Sequence, residues 1–149
     1  MKVLFDTNVV IDIWKKDPHY FKDSFAAYDI CMLRKWETCL SVTSIPDIEY
    51  LFAARGLMSE AAAHAAIGNV LQMFSVIDAA ECDCVLAHDS RALDDMEDGI
   101  IAYAALRNKV DAIVTRDKGF AHSPVPALTP AQFVKSYCPA NVNYSEVEL

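Results

Sequence analysis

The hydrophobic pattern of the chain alternates between short continuous apolar runs and longer stretches with helical spacing. Between the runs, apolar residues recur every three or four positions, as from Val9 to Trp14, which indicates amphipathic helices. Strands that alternate with helices predict an α/β fold of three layers, with a mainly parallel, twisted sheet between two layers of helices. Four runs have the length of buried strands, at residues 3–5, 39–42, 74–77 and 112–115.

Capping and helix-breaking residues place the helices between these runs. One helix is expected to end at Gly56. Residues 125–128 are predicted to form a short edge strand, residues 1–140 one domain, and residues 141–149 a loose C-terminal tail. Seven helices are expected. They lie directly after Asp6-Thr7-Asn8, from Pro18 to about Trp36, over about 45–55, from Ser59 to about Met73, from about 79 to 87, after the acidic residues at 94–98, and from Thr129-Pro130 onward.

Composition and charge limit the classes of protein to which the chain can belong. Hydrophobic residues make up 54% of the 149 positions, as in a folded globule. The formal charge of −8 argues against broad neutralisation of nucleic-acid phosphates. No apolar run has the length of a membrane span, so no membrane contact and a cytoplasmic location are expected. The five cysteines and four histidines are scattered and indicate neither a disulfide framework nor a zinc site.

Two aspartates follow predicted strands directly. Asp6 comes after the run 3–5, and Asp117 stands just beyond the run 112–115. Ligands of open parallel sheets bind at the carboxyl ends of the strands, so both carboxylates are candidates for one site. Each also has an ordinary structural explanation, because Asp caps helices and forms Asx-turns.

Further candidate acids lie on helices. Asp98 falls on the face that Ile101 and Ala105 continue toward the core, whereas Glu97 is expected to point away from it. Asp94, one turn earlier, is a reserve candidate. On the helix at 45–55, the acids at positions 47 and 49 both flank the apolar arc, and periodicity does not choose between them.

Acids that converge at one end of a sheet repel one another, and this repulsion raises their pKa values unless a cation is bound. Carboxylate oxygens without Cys or His favour Mg²⁺ or Mn²⁺ over Zn²⁺. A bound cation can also hold a phosphate group. The negative charge of the chain is therefore compatible with a nucleic-acid substrate.

The chain resembles the PIN-domain family, many of whose members are ribonucleases, including the VapC-type toxins of toxin–antitoxin modules. The resemblance runs from Val3-Leu4-Phe5-Asp6-Thr7-Asn8 to residues 126–133. It includes a hydroxyl-then-acid pattern in 41–47, an acid at the start of the helix 98–104, and the turn Thr115-Arg116-Asp117-Lys118-Gly119-Phe120.

The resemblance implies a function and a set of roles. It implies a ribonuclease that depends on Mg²⁺ or Mn²⁺ and leaves 5′-phosphate ends, with RNA as substrate and an antitoxin as partner; we also expect a homodimer. It selects Asp47 over Glu49 as the second acid, although the family more often has Glu at this place. The implied catalytic residues are Asp6, Asp47, Asp98 and Asp117. Of these, Asp6, Asp98 and Asp117 would hold the metal, and Thr7, Asn8 and Thr115 would support them. Apart from the resemblance, Arg116 and Lys118 are candidates to contact the RNA backbone, although exposed basic residues beside a turn are more often only solvated.

Two alternatives stay open. A PIN-like module could bind RNA or a protein without cleaving. An aspartyl-phosphate phosphatase could use Asp6 as its nucleophile, but such enzymes have a second Asp two residues on, where this chain has Asn8.

Overall fold

The computed structural model describes residues 1–54 and 57–144. No helix in this part of the chain is long and apolar enough to cross a membrane. The strands are β1 (Lys2–Phe5), β2 (Glu37–Ser41), β3 (Ser75–Ile77), β4 (Ala112–Val114) and β5 (Ala127–Leu128). The α-helices are α1 (Thr7–Lys15), α2 (Phe21–Leu33), α3 (Ser44–Ala53), α4 (Glu60–Met73), α5 (Glu81–Ser90), α6 (Met96–Arg107) and α7 (Pro130–Tyr137).

The five strands form one sheet in the order β3-β2-β1-β4-β5, and every neighbouring pair is parallel. This confirms the predicted α/β fold. The chain moves outward from β1 in one direction through β2 and β3, and in the other through β4 and β5. The strand order therefore reverses beside β1, and the carboxyl end of such a switch point is where open sheets form a crevice.

Alternate side chains of β1 supply two separate cores. Val3 and Phe5 belong to a hydrophobic cluster with residues of α1, α2, α3, α4 and α7. Leu4 belongs to the other cluster, which contains Ile101 and neighbouring residues of α6. Because successive strand side chains point to opposite faces, the sheet is covered on both sides and the three layers follow.

The second helix differs from its predicted bounds of Pro18 to Trp36. The carboxylate of Asp17 accepts from the His19 amide (2.9 Å) and the backbone oxygen of Asp17 accepts from Phe21 (2.8 Å), so residues 17–20 form a turn before α2. At the other end Lys35 has a left-handed φ of 55°, which stops the helix.

The region after β4 and the C-terminal segment also differ from the prediction. The expected turn at 116–119 continues as a short 3₁₀-helix, Lys118–His122. The start of the expected loose tail is packed, because the Tyr144 hydroxyl donates to Asp29 Oδ2 of α2 at 2.6 Å. The predicted helix end at Gly56 and the last five residues of the tail lie outside the described residues.

An ion-pair network joins α6 to the start of α5. The Arg107 guanidinium donates to both carboxylate oxygens of buried Asp83 and to exposed Asp78. Asp83 Oδ2 also accepts from the Ala80 amide at 2.8 Å. These hydrogen bonds hold the pKa of Asp83 below its usual range, so the carboxylate stays charged where it is buried.

We expect Asp83→Ala to lower the free energy of unfolding by about 2–3 kcal/mol, because it leaves the Arg107 guanidinium and the Ala80 amide without their partner. Asp89→Ala on the same helix is the matched control, since Asp89 is exposed and pairs only with exposed His88 in the described structure. It should change stability by less than about 0.5 kcal/mol. Urea unfolding measures both; equal effects would contradict the network's role.

Candidate active site

An acidic cleft of about 460 Å³ opens at the carboxyl ends of β1 and β4, at the switch point of the sheet. Its acids come from distant parts of the chain. Asp6 follows β1, Asp117 follows β4, and Asp98 lies in the first turn of α6. The cleft is lined by Asp6, Thr7, Asn8, Ile11, Asp47, Leu51, Asp95, Glu97, Asp98, Ile101, Arg116 and Asp117.

Asp6 is the most buried acid of the cleft, with 7% of its surface exposed. Its Oδ1 accepts from the Thr7 amide (2.7 Å), and its Oδ2 accepts from the Asn8 side chain (2.6 Å) and the Thr115 hydroxyl (2.6 Å). Burial raises the pKa of Asp6, and these hydrogen bonds oppose the rise. The carboxylate thus caps α1, as its ordinary explanation predicts, and also faces the cleft.

The turn after β4 is tied to the same group of hydrogen bonds. Thr115 Oγ1 accepts from the Asp117 amide at 2.9 Å, and Asn8 Oδ1 accepts from the Arg116 amide at 3.1 Å. Asp117 Oδ1 accepts from the Gly119 amide at 2.7 Å, so this residue also forms the expected Asx-type turn. Thr115 and Asn8, both predicted as supporting residues, therefore set the distance between the two strand-end acids.

Asp98 is partly buried, and its pKa is raised from the ordinary 3.8 to about 7. Burial is the largest cause, followed by the negative charges of Asp117 and Asp6 and then those of Asp95 and Glu97. Asp95 caps α6 by accepting from the amides of residues 97 and 98. The charges of Asp6 and Asp117, which follow two different strands, thus act on Asp98 across the cleft.

Asp47 in the first turn of α3 also reaches the cleft, and Glu97 lies against it. Burial raises the pKa of Glu97, and a hydrogen bond to the Asp47 carboxyl adds to the rise. The sequence analysis expected Glu97 to point away, but the cleft surrounds the first turn of α6, so adjacent positions both face it. Of the reserve acids, Glu49 pairs with His64 (2.8 Å), and Asp94 lines a different cavity.

Arg116 has a partner that the sequence analysis did not identify. Its guanidinium donates to both oxygens of buried Asp12 on α1, at 2.7 and 3.0 Å, and its Cζ lies 4.0 Å from the centre of the Tyr20 ring. A lone acid in the apolar run of α1 was the available signal. Lys118, the other predicted RNA contact, is exposed and lines a different cavity, which shares Arg116 and Asp117 with the cleft.

The donor set suits a hard divalent cation, because every acid of the cleft offers carboxylate oxygens. Asp98 Oδ2 and Asp117 Oδ1 each lie 3.1 Å from the point where a Cβ at Gly119 would stand, so the glycine leaves a gap that both oxygens face. Within residues 1–54 and 57–144, no three acid, His or Cys side chains already form a metal-binding group.

Known proteins share the family and the fold of this chain. Residues 2–119 match the family model described as PIN domain. No curated protein matches the sequence.

Solved structures share the fold at low sequence identity. FitAcB from Neisseria gonorrhoeae has a TM-score of 0.68 and 21% identity, with 87% of this chain and 98% of that chain covered. VapBC2 from Rickettsia felis, bound to a promoter DNA fragment, has a TM-score of 0.63, 16% identity and coverages of 87% and 98%. A toxin–antitoxin complex from Klebsiella pneumoniae has a TM-score of 0.63, 20% identity and coverages of 86% and 97%.

The raised pKa of Asp98 predicts a pH-dependent stability difference between wild type and Asp98→Asn, measured without metal. Between about pH 4 and pH 7 the folded protein keeps a proton that the unfolded chain has released, so wild-type stability falls as pH rises through this window. The variant has no such penalty. Because Asp98 is partly exposed, we expect screening to leave about 1 kcal/mol, a rise in Tm of roughly 2–4 °C at pH 8.

Thermal melts in EDTA at pH 4.5 and pH 8 test this. The advantage of Asp98→Asn should be larger at pH 8. Asp94→Asn removes an exposed charge outside the cleft and serves as the control. An equal difference at both pH values would show that the cleft does not perturb Asp98.

Proposed function

The chain belongs to the PIN-domain family, and from that premise we propose that it is a ribonuclease that depends on Mg²⁺ or Mn²⁺ and hydrolyses phosphodiester bonds. One observation carries the proposal. Three aspartates from separate elements face a single cleft at the switch point of the sheet, where burial and then the negative charges of Asp117 and Asp6 raise the pKa of Asp98 to about 7. Such perturbed, converging acids are typical of sites that bind a cation or move a proton.

Asp6, Asp98 and Asp117 are the proposed ligands of the ion. When bound, a divalent ion supplies positive charge that offsets the charge of the phosphate and lowers the pKa of a water molecule. Asp6 is held in one orientation by its three hydrogen bonds, and Asp117 Oδ1 faces the gap beside Gly119 together with Asp98 Oδ2.

Asp47 is proposed to accept a hydrogen bond from the attacking water and so orient it, or to help hold a second ion. Its carboxylate stands across the cleft from the strand-end acids and touches Glu97. The family more often has Glu at the position of Asp47, which is shorter. Glu97 interacts with Asp47 and adds a longer carboxylate side chain beside it. Attack of water at phosphorus with departure of the 3′-oxygen leaves 5′-phosphate ends.

Among the described residues that line the cleft, Arg116 is the basic one. Lys118 lies two residues further along, at the start of the short 3₁₀-helix. We propose that Lys118 contacts the RNA backbone. The guanidinium of Arg116 is largely committed to Asp12, so its first role is to hold the turn that carries Asp117.

The structural neighbours support an antitoxin partner, because one is a toxin–antitoxin complex from Klebsiella pneumoniae. We propose that this chain is the toxin of such a pair and acts in the cytoplasm. A homodimer also stays a prediction; exposed apolar side chains on α2, among them Phe25, Met32 and Leu33, support a further contact surface. Light scattering of the purified chain measures its oligomeric state.

The direct test of the proposed function is cleavage of end-labelled RNA with Mn²⁺ or Mg²⁺, with EDTA, and with metal restored. We expect metal-dependent cleavage by the wild type and a loss of about 100-fold or more for Asp98→Asn, the scale at which loss of one preorganised group slows catalysis. Asp89→Asn removes an exposed charge on α5, outside the cleft, and should cleave normally. Cleavage by Asp98→Asn at the wild-type rate, or cleavage in EDTA, would contradict the assignment.

Gly119→Ala tests the gap between the acids. The added methyl would lie 3.1 Å from both Asp98 Oδ2 and Asp117 Oδ1 and push the two oxygens apart. We expect a fall in activity of roughly tenfold at limiting Mn²⁺. Titration of activity with Mn²⁺ is the measurement, and an unchanged midpoint would show that the ion does not use this gap.

Gly68→Ala is the matched control. A Cβ at this exposed position of α4 meets nothing within 4 Å. The substitution should leave activity unchanged and stabilise the helix by up to about 1 kcal/mol, because Ala has the higher helix propensity.

A further inference from the structure

A second cavity of about 350 Å³ lies between the start of α2 and the start of α7. Its size falls within the range of about 300–1,000 Å³ that small-molecule sites occupy. The aromatic residues His19 and Tyr20 form part of its wall. The complete lining is His19, Tyr20, Asp23, Ser24, Arg116, Thr129, Pro130 and Ala131.

The Tyr20 ring in this cavity is held in place from one side. The Arg116 guanidinium lies over the ring at 4.0 Å, and Asp12 fixes that guanidinium through two hydrogen bonds. Ser24 Oγ donates to the same Asp12 carboxylate at 3.1 Å, which ties the first turn of α2 to the arrangement. The residue Tyr20 nevertheless remains 44% exposed. A fixed, exposed aromatic ring is a preorganised stacking surface.

Arg116 connects this cavity to the acidic cleft, because it lines both. It also directly precedes Asp117, one of the proposed ligands. An RNA strand with its scissile phosphate at the acids must continue over the neighbouring surface. The cavity beside Arg116 is such a surface. Residues 15–23 beside it carry three lysines and two aspartates, Lys15, Lys16 and Lys22 with Asp17 and Asp23, a small local excess of positive charge in a chain of net charge −8.

We propose that the cavity between α2 and α7 holds one unpaired base of a single-stranded RNA substrate, next to the scissile phosphate, with the Tyr20 ring as its stacking partner. The inference rests on the proposed ribonuclease function. Only an unstacked base can enter a cavity of this kind, since the bases of a duplex are stacked and their faces are hidden. The arrangement therefore selects single strands, loops and ends over paired RNA.

Steady-state cleavage of a short single-stranded RNA tests the role of the ring. We expect Tyr20→Ala to raise KM by about tenfold or more, the usual effect of removing one base-stacking ring, and Tyr20→Phe to keep the wild-type value. Tyr50→Ala is the matched control, because Tyr50 is 72% exposed on α3. Wild-type KM in Tyr20→Ala would overturn the proposal and leave the cavity to a protein partner or to no ligand.

Abasic substrates separate stacking from a structural effect on the neighbouring turn. A single abasic nucleotide, placed in turn at each of the two positions on either side of the scissile phosphate, should weaken wild-type cleavage at one of them. At that position the substrate change and Tyr20→Ala should not add, because both remove the same contact. If the loss from the abasic nucleotide and the loss from Tyr20→Ala multiply at every position, Tyr20 only supports Arg116 and the proposal is wrong.

Binding of fluorescein-labelled single-stranded RNA, followed by anisotropy, separates this inference from the proposed function. If the wild type cleaves RNA but Tyr20→Ala and abasic oligonucleotides behave normally, the ribonuclease stands and the base site is wrong. If the wild type cleaves nothing, yet binding weakens with Tyr20→Ala and with the abasic oligonucleotide, the base site stands and the ribonuclease is wrong. Equal binding of a duplex of the same sequence would also contradict the base site.

Discussion

The hydroxyl group of Thr115 connects the two acids that follow strands β1 and β4, Asp6 and Asp117. Thr115 Oγ1 donates to Asp6 Oδ2 at 2.6 Å and accepts from the Asp117 amide at 2.9 Å. It can do both because β1 and β4 are parallel neighbours with Phe5 opposite Val114, so the residues that follow each strand emerge side by side. The position of one acid is thereby fixed relative to the other. The remaining acids are brought to this pair by helices that pack on the sheet.

The acidic cleft lowers the stability of the native state. Burial and like charges raise the pKa values of Asp6, Glu97 and Asp98, so the ionised carboxylates are less favourable in the native state than in the unfolded chain. The apolar clusters on both faces of the sheet offset this cost, since each contains many fully buried side chains. A cation in the cleft would turn the same repulsion into attraction.

Sequence patterns predicted the fold and much of the cleft, because strands and helices have different hydrophobic periods and strand ends share one edge. Those rules predicted that Asp6 and Asp117 lie in one site, and the helical periodicity after Asp98 predicted that this residue faces the core side of its helix. They did not predict the Asp12 pair with Arg116 or the contact of Glu97 with Asp47, because hydrophobic periodicity does not record which polar side chains of two packed elements face each other. The late start of α2 depends on local hydrogen bonds of Asp17 that periodicity does not record.

The central position of β1 has a consequence for synthesis of the protein. β1 is the middle strand of the sheet, and its partner on one side, β4, begins only at Ala112. Thr115 and Asp117 follow later still. Because Asp117 is made more than 100 residues after Asp6, the acids of the cleft can assemble only late in the synthesis of this domain.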